Sequence, residues 1–460
     1  MTTAAIKVTD LHASLSDPAL DSMNFLNEIA NRYPDAVSFA PGRPYEEFFD
    51  TRLIHEYLER FENYLRQEKG LTDEQVCRIL FQYGRTKGVI DDLVAKHLAI
   101  DEGIQAAPES IVVTVGCQEA MFLVLRALRA DERDVLLTVA PAYVGIVGAA
   151  RLADLPTVAV PGGPAGVDLP ALAEAIRRLK AEGRRPRACY IVADHSNPSG
   201  ISLSTADRHA LLKLAEAEDF LILEDNPYGL FSAGDERPPT LKSIDTGRRV
   251  VYLGSFAKTG MPGARVGYLV ADQETAGGGL LADELAKIKS MLTVNTSPIA
   301  QAVVAGKLLT HGCSLVQANE REIAVYRRNM TALLDALAER FPAGSGISWN
   351  RPHGGFFLVL SVPFDADDAL LERSAREFGV LWTPMRHFAS GPGAARAIRL
   401  SCSVLTPERI EDGLDRLAAL FATTTEKAES KRIDTDSRHL EQTITGLDSY
   451  TSIQKEPPRC

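Results

Sequence analysis

The stretch VVYLGSFAKTGMPGARVGYLV, Val250 to Val270, decides how this chain is read. Its first six residues are apolar or small and rich in β-branched types, the pattern of a strand buried on both faces. ARVGYLV, Ala264 to Val270, reads as a second strand. The connection between the two is too short to hold a helix, so the pair is expected to be antiparallel. Lys258 follows the first strand almost at once. A lysine ammonium normally stays at the surface and its deep burial is costly. At the end of a buried strand it is therefore either a loop cation or an amine held for chemistry. Ser255, Lys258 and Arg265 lie within eleven positions, interleaved with glycines. Serine and arginine suit a phosphate dianion, and a lysine whose pKa is lowered suits a Schiff base.

The same strand signal recurs upstream. IVVTV (Ile111 to Val115), DVLLTVA (Asp134 to Ala140), PTVAV (Pro156 to Val160), ACYIVAD (Ala188 to Asp194) and FLILED (Phe220 to Asp225) are short apolar runs. Helical patterns such as QEAMFLVLRALRA and TADRHALLKLAEAED lie between them. This alternation predicts an α/β fold, with a seven-stranded, mostly parallel sheet covered by helices on both faces. After about residue 305 a long helical pattern, REIAVYRRNMTALLDALAERF, precedes strand-like GGFFLVLSV and RAIRLSCSV. The expected division is an N-terminal arm with part of a small domain over 1–60, a large domain over 61–304 and a small α+β domain over 305–422, built from both chain ends. From Thr423 the apolar periodicity ends, and 423–460 read as a disordered tail in which only TGLDSYTSI carries apolar residues that could dock.

In open α/β sheets, ligands sit beyond the carboxyl ends of the strands, and the unusual residues fall there. Gly116-Cys117-Gln118 opens a helix after IVVTV, as an anion site or a plain turn. Tyr143 follows DVLLTVA, as a stacking surface or core. Asn197 follows ACYIVAD within an Asn-Pro turn, and its amide offers a donor and an acceptor. Asp225 ends FLILED, with Tyr228 three residues on. A carboxylate there must find a partner or lose its charge, so it is a helix cap, an ion pair, or the counter-ion of a protonated ring nitrogen.

Composition excludes several classes. The net charge is −11 and both signs are interspersed, which argues against nucleic-acid and anionic-membrane binding. No apolar run reaches the roughly 18 residues of a membrane span. No signal peptide is visible at the N-terminus. The six cysteines, at 77, 117, 189, 313, 402 and 460, show no CxxC pair. They read as reduced thiols of a cytoplasmic protein, without a disulfide framework or zinc site. The nine histidines show no metal spacing, and His195, His353 and His387 read as structural.

Taken in order, G-x-P near the start, Y-x-x-x-x-G, strand-G-x-Q, N-P-x-G, D-x-x-Y, S-x-x-K-x-x-x-x-x-x-R-x-G and a late I-R-L-S resemble the fold-type I, pyridoxal phosphate-dependent aminotransferases of class I/II. The resemblance spans Phe39 to Ala422. It implies that Lys258 holds pyridoxal 5'-phosphate as a Schiff base and shuttles the substrate proton. Asp225 would pair with the ring nitrogen so that the ring serves as electron sink. Tyr228 and Asn197 would bond the ring oxygen, and Tyr143 would stack on the ring. Gly116, the Cys117 and Gln118 amides, Ser255 and Arg265 would cradle the phosphate. Tyr83 would reach the phosphate of a neighbouring subunit, making the enzyme a homodimer with shared sites. Arg399 would grip the substrate carboxylate with help from Asn197, and Gly42 would stand at the entrance. Amino acids and 2-oxo acids are the partners implied.

ALDSMNFLNEIANRYPDAVSFAPGRPYEEFFD and LFQYGRTKGVIDDL further resemble the aminotransferases that make aryl-glycines (4-hydroxyphenylglycine or 3,5-dihydroxyphenylglycine) for peptide antibiotics. Departures from the wider family are Ala257 where many members carry serine, and Thr383-Pro384-Met385-Arg386-His387-Phe388 where many carry P-G-x-x-F. Arg43, Arg351 and Arg386 are left without an assigned role. A lyase, decarboxylase or oxidase on the same cofactor is the alternative. A cofactor-binding regulator built on the same fold is a third reading, disfavoured because the roughly 40 residues before FAPGRP show no basic helix-turn-helix pattern and the net charge is negative.

Overall fold

The computed structural model describes residues 5–163, 165–232, 234, 237–259 and 261–425. The expected tail therefore lies, from 426 onward, outside the described residues. Positions 423–425 correct its start, because they form the last turn of a helix over 407–425. The Thr423 and Thr424 hydroxyls bond back to the Leu420 carbonyl, which carries the helix past the end of its apolar face.

Thirteen strands occur among the described residues. β1 (Val37–Ser38) precedes the large sheet, which contains β2 (Ile111–Thr114), β3 (Asp134–Ala140), β4 (Thr157–Pro161), β5 (Arg185–Ile191), β6 (Leu221–Asp225), β7 (Val250–Ser255) and β8 (Gly267–Val270). Its order is β2-β8-β7-β6-β5-β3-β4. All neighbours are parallel except β8, which runs antiparallel to β7 and β2. The short loop after Lys258 leaves no room for a crossover helix, so β8 must return beside β7 in the opposite sense. β8 starts at Gly267, not at 264, because Pro262–Ala264 form a 3-10 turn and Arg265 adopts φ +52°. β5 begins three residues earlier than its apolar run. Arg185 is drawn into the ladder by its bond to the buried Asp134 carboxylate, 3.0 Å away.

Both faces of this sheet are covered, which explains the unbroken apolar runs. Val112, Leu136, Leu223, Val251 and Leu269 pack against the helices Gly116–Leu128, Val144–Leu152 and Leu281–Leu292. Val135, Leu137, Ile191 and Ile222 pack against Leu169–Ala181 and Thr205–Glu218.

The remaining strands are β9 (Ser348–Trp349), β10 (Phe357–Ser361), β11 (Val380–Leu381), β12 (Thr383–Pro384) and β13 (Ala397–Ser401). An antiparallel sheet β12-β13-β10-β9 packs Leu358, Leu360, Ile398 and Leu400 against Leu333 and Leu337 of the helix Glu320–Arg340 and against Leu414 and Leu417. β1 joins this smaller unit by pairing with β11 in parallel.

Two expected boundaries do not match the packing. The helix Arg52–Gln67 buries Phe61, Tyr64 and Leu65 in the cluster that holds Ile111 and Val113, so it belongs with the large sheet. A Cβ on Gly306 would meet the Tyr57 carbonyl at 1.9 Å, and only glycine lets the helices Arg52–Gln67 and Pro298–Thr310 cross this closely. That second helix runs straight through position 305, where the smaller unit was expected to begin. Its Ala305 and Leu308 stay in the large-sheet core.

Candidate active site

Chain order reverses beside β3. The chain moves outward from β3 to β4, then returns through β5 to β6 and β7 on the other side. Ligands bind at such switch points, outside the carboxyl ends of the strands. A cavity of about 260 Å³ opens there. Gly42, Cys117, Gln118, Tyr143, Asn197, Asp225, Tyr228, Ser255, Lys258, Arg265 and Arg399 all line it. Gly116 adjoins it, and Tyr83 does not reach it: Tyr83 is 84% exposed on the outer surface.

Lys258 Nζ donates to the Gly42 carbonyl at 2.5 Å. Its pKa is lowered to about 8, first by burial and then by the positive charges of Arg399, Arg265 and Arg43, with Asp225 opposing. The amine is thus kept within reach of its neutral, nucleophilic form near physiological pH.

Asp225 is buried at the end of β6. Tyr190 on β5 donates its hydroxyl to Asp225 Oδ2 at 2.6 Å, and Cys117 Sγ approaches Oδ1 at 3.5 Å. Burial pushes the carboxyl pKa up to about 6, while the Tyr190 and Cys117 bonds and the Lys258 charge pull against it. A carboxylate in this state lacks a strong cationic partner, which a protonated ring nitrogen would supply.

The anion cradle is built from two elements. Gly116 opens its helix at φ +68°, and a Cβ there would lie 2.6 Å from Arg265 Nη2. The guanidinium of Arg265 therefore sits against the first helical turn, whose N–H groups have no partner within the helix. Gly267 is as tightly placed, since a Cβ would meet the Cys117 nitrogen at 2.7 Å. Beneath the turn, Glu119 Oε2 accepts from the Val115 N–H at 2.6 Å and from the fully buried Lys289 at 2.7 Å. This bracket fixes the start of the helix. Positive charge, free N–H groups and the Ser255 hydroxyl in one corner fit a phosphate, and the lysine and aspartate beside them fit an aldehyde-bearing pyridine ring.

Arg399, on β13, is buried. Its Nη1 donates to Asn197 Oδ1 at 2.6 Å, and its Nη2 donates to the Ala40 carbonyl at 2.6 Å and to Thr383 Oγ1 at 3.1 Å. The guanidinium lies over the rings of Phe357 and Phe388, 4.4 and 5.0 Å from their centroids. Its buried Nε has no hydrogen-bond partner among the described residues. Burial lowers its pKa to about 10, so the charge persists at neutral pH. The fork is aimed and incompletely satisfied, which suits a carboxylate. Tyr143 and Tyr228 have hydroxyl pKa values raised by burial and stay protonated donors.

Sequence reasoning missed Tyr190, Thr383, Phe357, Glu119 and Lys289. Tyr190 reads as one more aromatic in a core strand, and the others gain meaning only from the packing that brings them to Asp225, Arg399 or the first turn. His195 is buried with its pKa lowered to about 4 by burial, and its ring packs against Gly354 and Gly355 outside the cavity lining.

Comparison with known proteins agrees with this geometry. The family model for aminotransferase class I and II matches residues 50–417. The chain is 57% identical over 416 residues to an (S)-3,5-dihydroxyphenylglycine transaminase of Amycolatopsis orientalis, covering 90% of this chain and 94% of the relative. Among solved structures it resembles a multiple substrate aminotransferase of Thermococcus profundus, with TM-score 0.75 and 28% identity over 88% of this chain and 95% of that one. It also resembles an alpha-aminoadipate aminotransferase of Thermus thermophilus complexed with N-(5'-phosphopyridoxyl)-L-leucine, with TM-score 0.70 and 29% identity over 88% and 97% of the two chains.

Proposed function

The chain belongs to the class I and II aminotransferases, pyridoxal 5'-phosphate-dependent enzymes of fold type I, and on that premise we propose that it interconverts an aryl-glyoxylate and an aryl-glycine of the hydroxylated phenylglycine type, as a homodimer. The gathering of Lys258, Asp225, Arg265 and Arg399 in one cavity carries the chemistry, and the 57% identity over most of both chains carries the substrate class. When bound, the cofactor supplies an electron sink that makes the substrate Cα–H acidic.

The chain's own residues do the rest. Arg265, Ser255 and the first turn after Gly116 hold the phosphate. Asp225 keeps the ring nitrogen protonated, and Tyr190 and Cys117 hold Asp225 in place. Tyr228 and Asn197 bond the ring oxygen, and Tyr143 covers the ring face. Arg399 orients the substrate carboxylate. Lys258 would take the proton from the substrate Cα, because its amine, with its pKa lowered to about 8, is the base that lines the cavity beside Asp225 and Arg399.

The dimer rests on surface chemistry as well as on Tyr83. Phe81, Tyr83, Met291, Leu292, Val294 and Ile299 are large apolar residues left exposed. Gly84 lies beside Asn295 and Pro298, so these residues come from two touching segments. Such a patch suits a second copy of the chain, with Tyr83 reaching the partner's phosphate. The enzyme is expected to sediment as a dimer and to form an aryl-glycine from 3,5-dihydroxyphenylglyoxylate and an amino donor, read by chiral chromatography. Sedimentation as a monomer contradicts the shared site, and no aryl-glycine product contradicts the substrate class.

The lowered lysine pKa has a kinetic consequence. In cofactor-free protein the second-order rate of pyridoxal phosphate capture is expected to rise about tenfold per pH unit up to about 8 and then level off, as Lys258 loses its proton. Stopped-flow absorbance measures it. A rate that keeps rising to pH 10 means that Lys258 keeps the pKa of a free lysine.

A further inference from the structure

Asp225 lines the cavity, and on the reading above, on which this inference rests, it shares one proton with the ring nitrogen of the cofactor. Which of the two carries that proton decides whether the ring can draw electrons from the reacting carbon. Burial favours the uncharged arrangement, with the proton on the carboxyl. Hydrogen bonds to the carboxylate favour the charged one, with the proton on nitrogen. The donors that face Asp225 therefore set the balance. Among the described residues there are two. Cys117 is the weaker, since a thiol is a poor donor and its Sγ stands 3.5 Å from Oδ1. Tyr190 Oη stands 2.6 Å from Oδ2. The register of the sheet builds this second contact. Tyr190 on β5 pairs with Leu223 on β6, so Asp225, two residues further on, shares its face and lies diagonally across from it. Both strands are interior to the sheet, and Tyr190 is buried in the same core cluster as Leu223. Its hydroxyl makes no other hydrogen bond among the described residues, and its side chain does not line the cavity. Lys258 is the charge that pulls in the same direction as Tyr190; burial pulls against both, and the carboxyl stands at about 6. The balance is close enough for one strong donor to tip it.

We propose that Tyr190 is a positioning residue which, through its hydrogen bond to Asp225, holds the shared proton on the ring nitrogen and so keeps the cofactor an electron sink. Its hydroxyl stabilises the carboxylate and leaves the neutral carboxyl unaided. The proton is thereby passed from the Asp225 oxygen to the nitrogen, with no other group gained or lost. A hydrogen bond to a charged group shifts such a partition roughly 10- to 150-fold, the equivalent of about 1.5–3 kcal/mol. Tyr190 acts only through Asp225, because it reaches neither substrate nor the cavity wall.

Nitrogen NMR of the holoenzyme, reconstituted with pyridoxal phosphate isotopically labelled at the ring nitrogen, reads the proton directly and does not depend on turnover. Acidified free cofactor and the Asp225→Asn holoenzyme give the reference positions for nitrogen with and without its proton. The wild-type signal is expected near the protonated reference. Tyr190→Phe keeps the ring and removes only the hydroxyl. In it the ratio of protonated to unprotonated nitrogen is expected to fall roughly 10- to 150-fold, which moves the signal toward the unprotonated reference. Cys117→Ala is expected to move it less, and Tyr190→Leu, which also removes the ring, no further than Tyr190→Phe. A Tyr190→Phe signal at the wild-type position, a shift that appears only in Tyr190→Leu, or a wild-type signal at the unprotonated reference overturns the proposal. Wild-type protein that takes up no pyridoxal phosphate defeats instead the reading on which the proposal rests.

Discussion

Lys258→Ala is expected to lower turnover by at least about 10⁴-fold while leaving a folded protein. A positioned general base contributes roughly 10²- to 10⁴-fold, and loss of the covalent anchor for the cofactor adds to it. Nothing else in the cavity can stand in: Asp225 is engaged by Tyr190 and Cys117, and the tyrosine hydroxyls are held protonated by burial. Stability follows the opposite logic. The Lys258 ammonium is disfavoured by burial and by three arginines, and among the described residues its one hydrogen bond is to the Gly42 carbonyl. Removing it therefore relieves repulsion, and the cofactor-free variant is expected to melt at or above the wild-type temperature. Measured kcat together with a thermal melt checks both statements. Retained turnover would remove Lys258 from the chemistry. A large fall in melting temperature would mean that the amine is a structural group.

Arg399→Ala is expected to reduce kcat/KM by about 10²- to 10⁴-fold, as two charge-assisted hydrogen bonds to a carboxylate are worth about 1.5–3 kcal/mol each. Some of the loss comes through position. Without the guanidinium, Asn197 loses its 2.6 Å contact, and Phe357 and Phe388 lose the plane between them. Arg399→Lys separates charge from geometry. It keeps the cation but cannot form the planar fork that reaches Asn197, Thr383 and a substrate together, so most of the loss is expected to remain. An unchanged kcat/KM in either variant would show that another group, with Arg43 the remaining arginine of the cavity wall besides the phosphate-side Arg265, holds the carboxylate.

Much of the site was legible because the large sheet is covered on both faces. Its strands are unbroken apolar runs, so Lys258, Asp225 and Asn197 stand out where those runs stop. Arg265 was legible by spacing, but its reach to Gly116 depends on a left-handed backbone that no propensity favours in arginine. Tyr190 could not be singled out, because an aromatic facing a carboxylate and an aromatic facing leucines look alike in a strand. Helix packing was equally hidden. The apolar stripe of Arg52–Gln67 predicts a buried face without saying which core buries it, and Gly306 discloses the crossing only once Tyr57 is seen against it. β5 was misjudged at its start because the ion pair between Arg185 and Asp134 admits a charged residue into a strand.

The central claim is that this cavity moves an amino group through its cofactor onto an aryl-glyoxylate. The most direct test is the visible absorption of the holoenzyme in single turnover: an amino donor is added, removed by gel filtration, and replaced by 3,5-dihydroxyphenylglyoxylate. The expected result is loss of the resting cofactor band with one equivalent of 2-oxo acid formed, followed by return of the band with one equivalent of aryl-glycine. A band that never bleaches with any donor, or bleaches and is not restored by the aryl-glyoxylate, would contradict it.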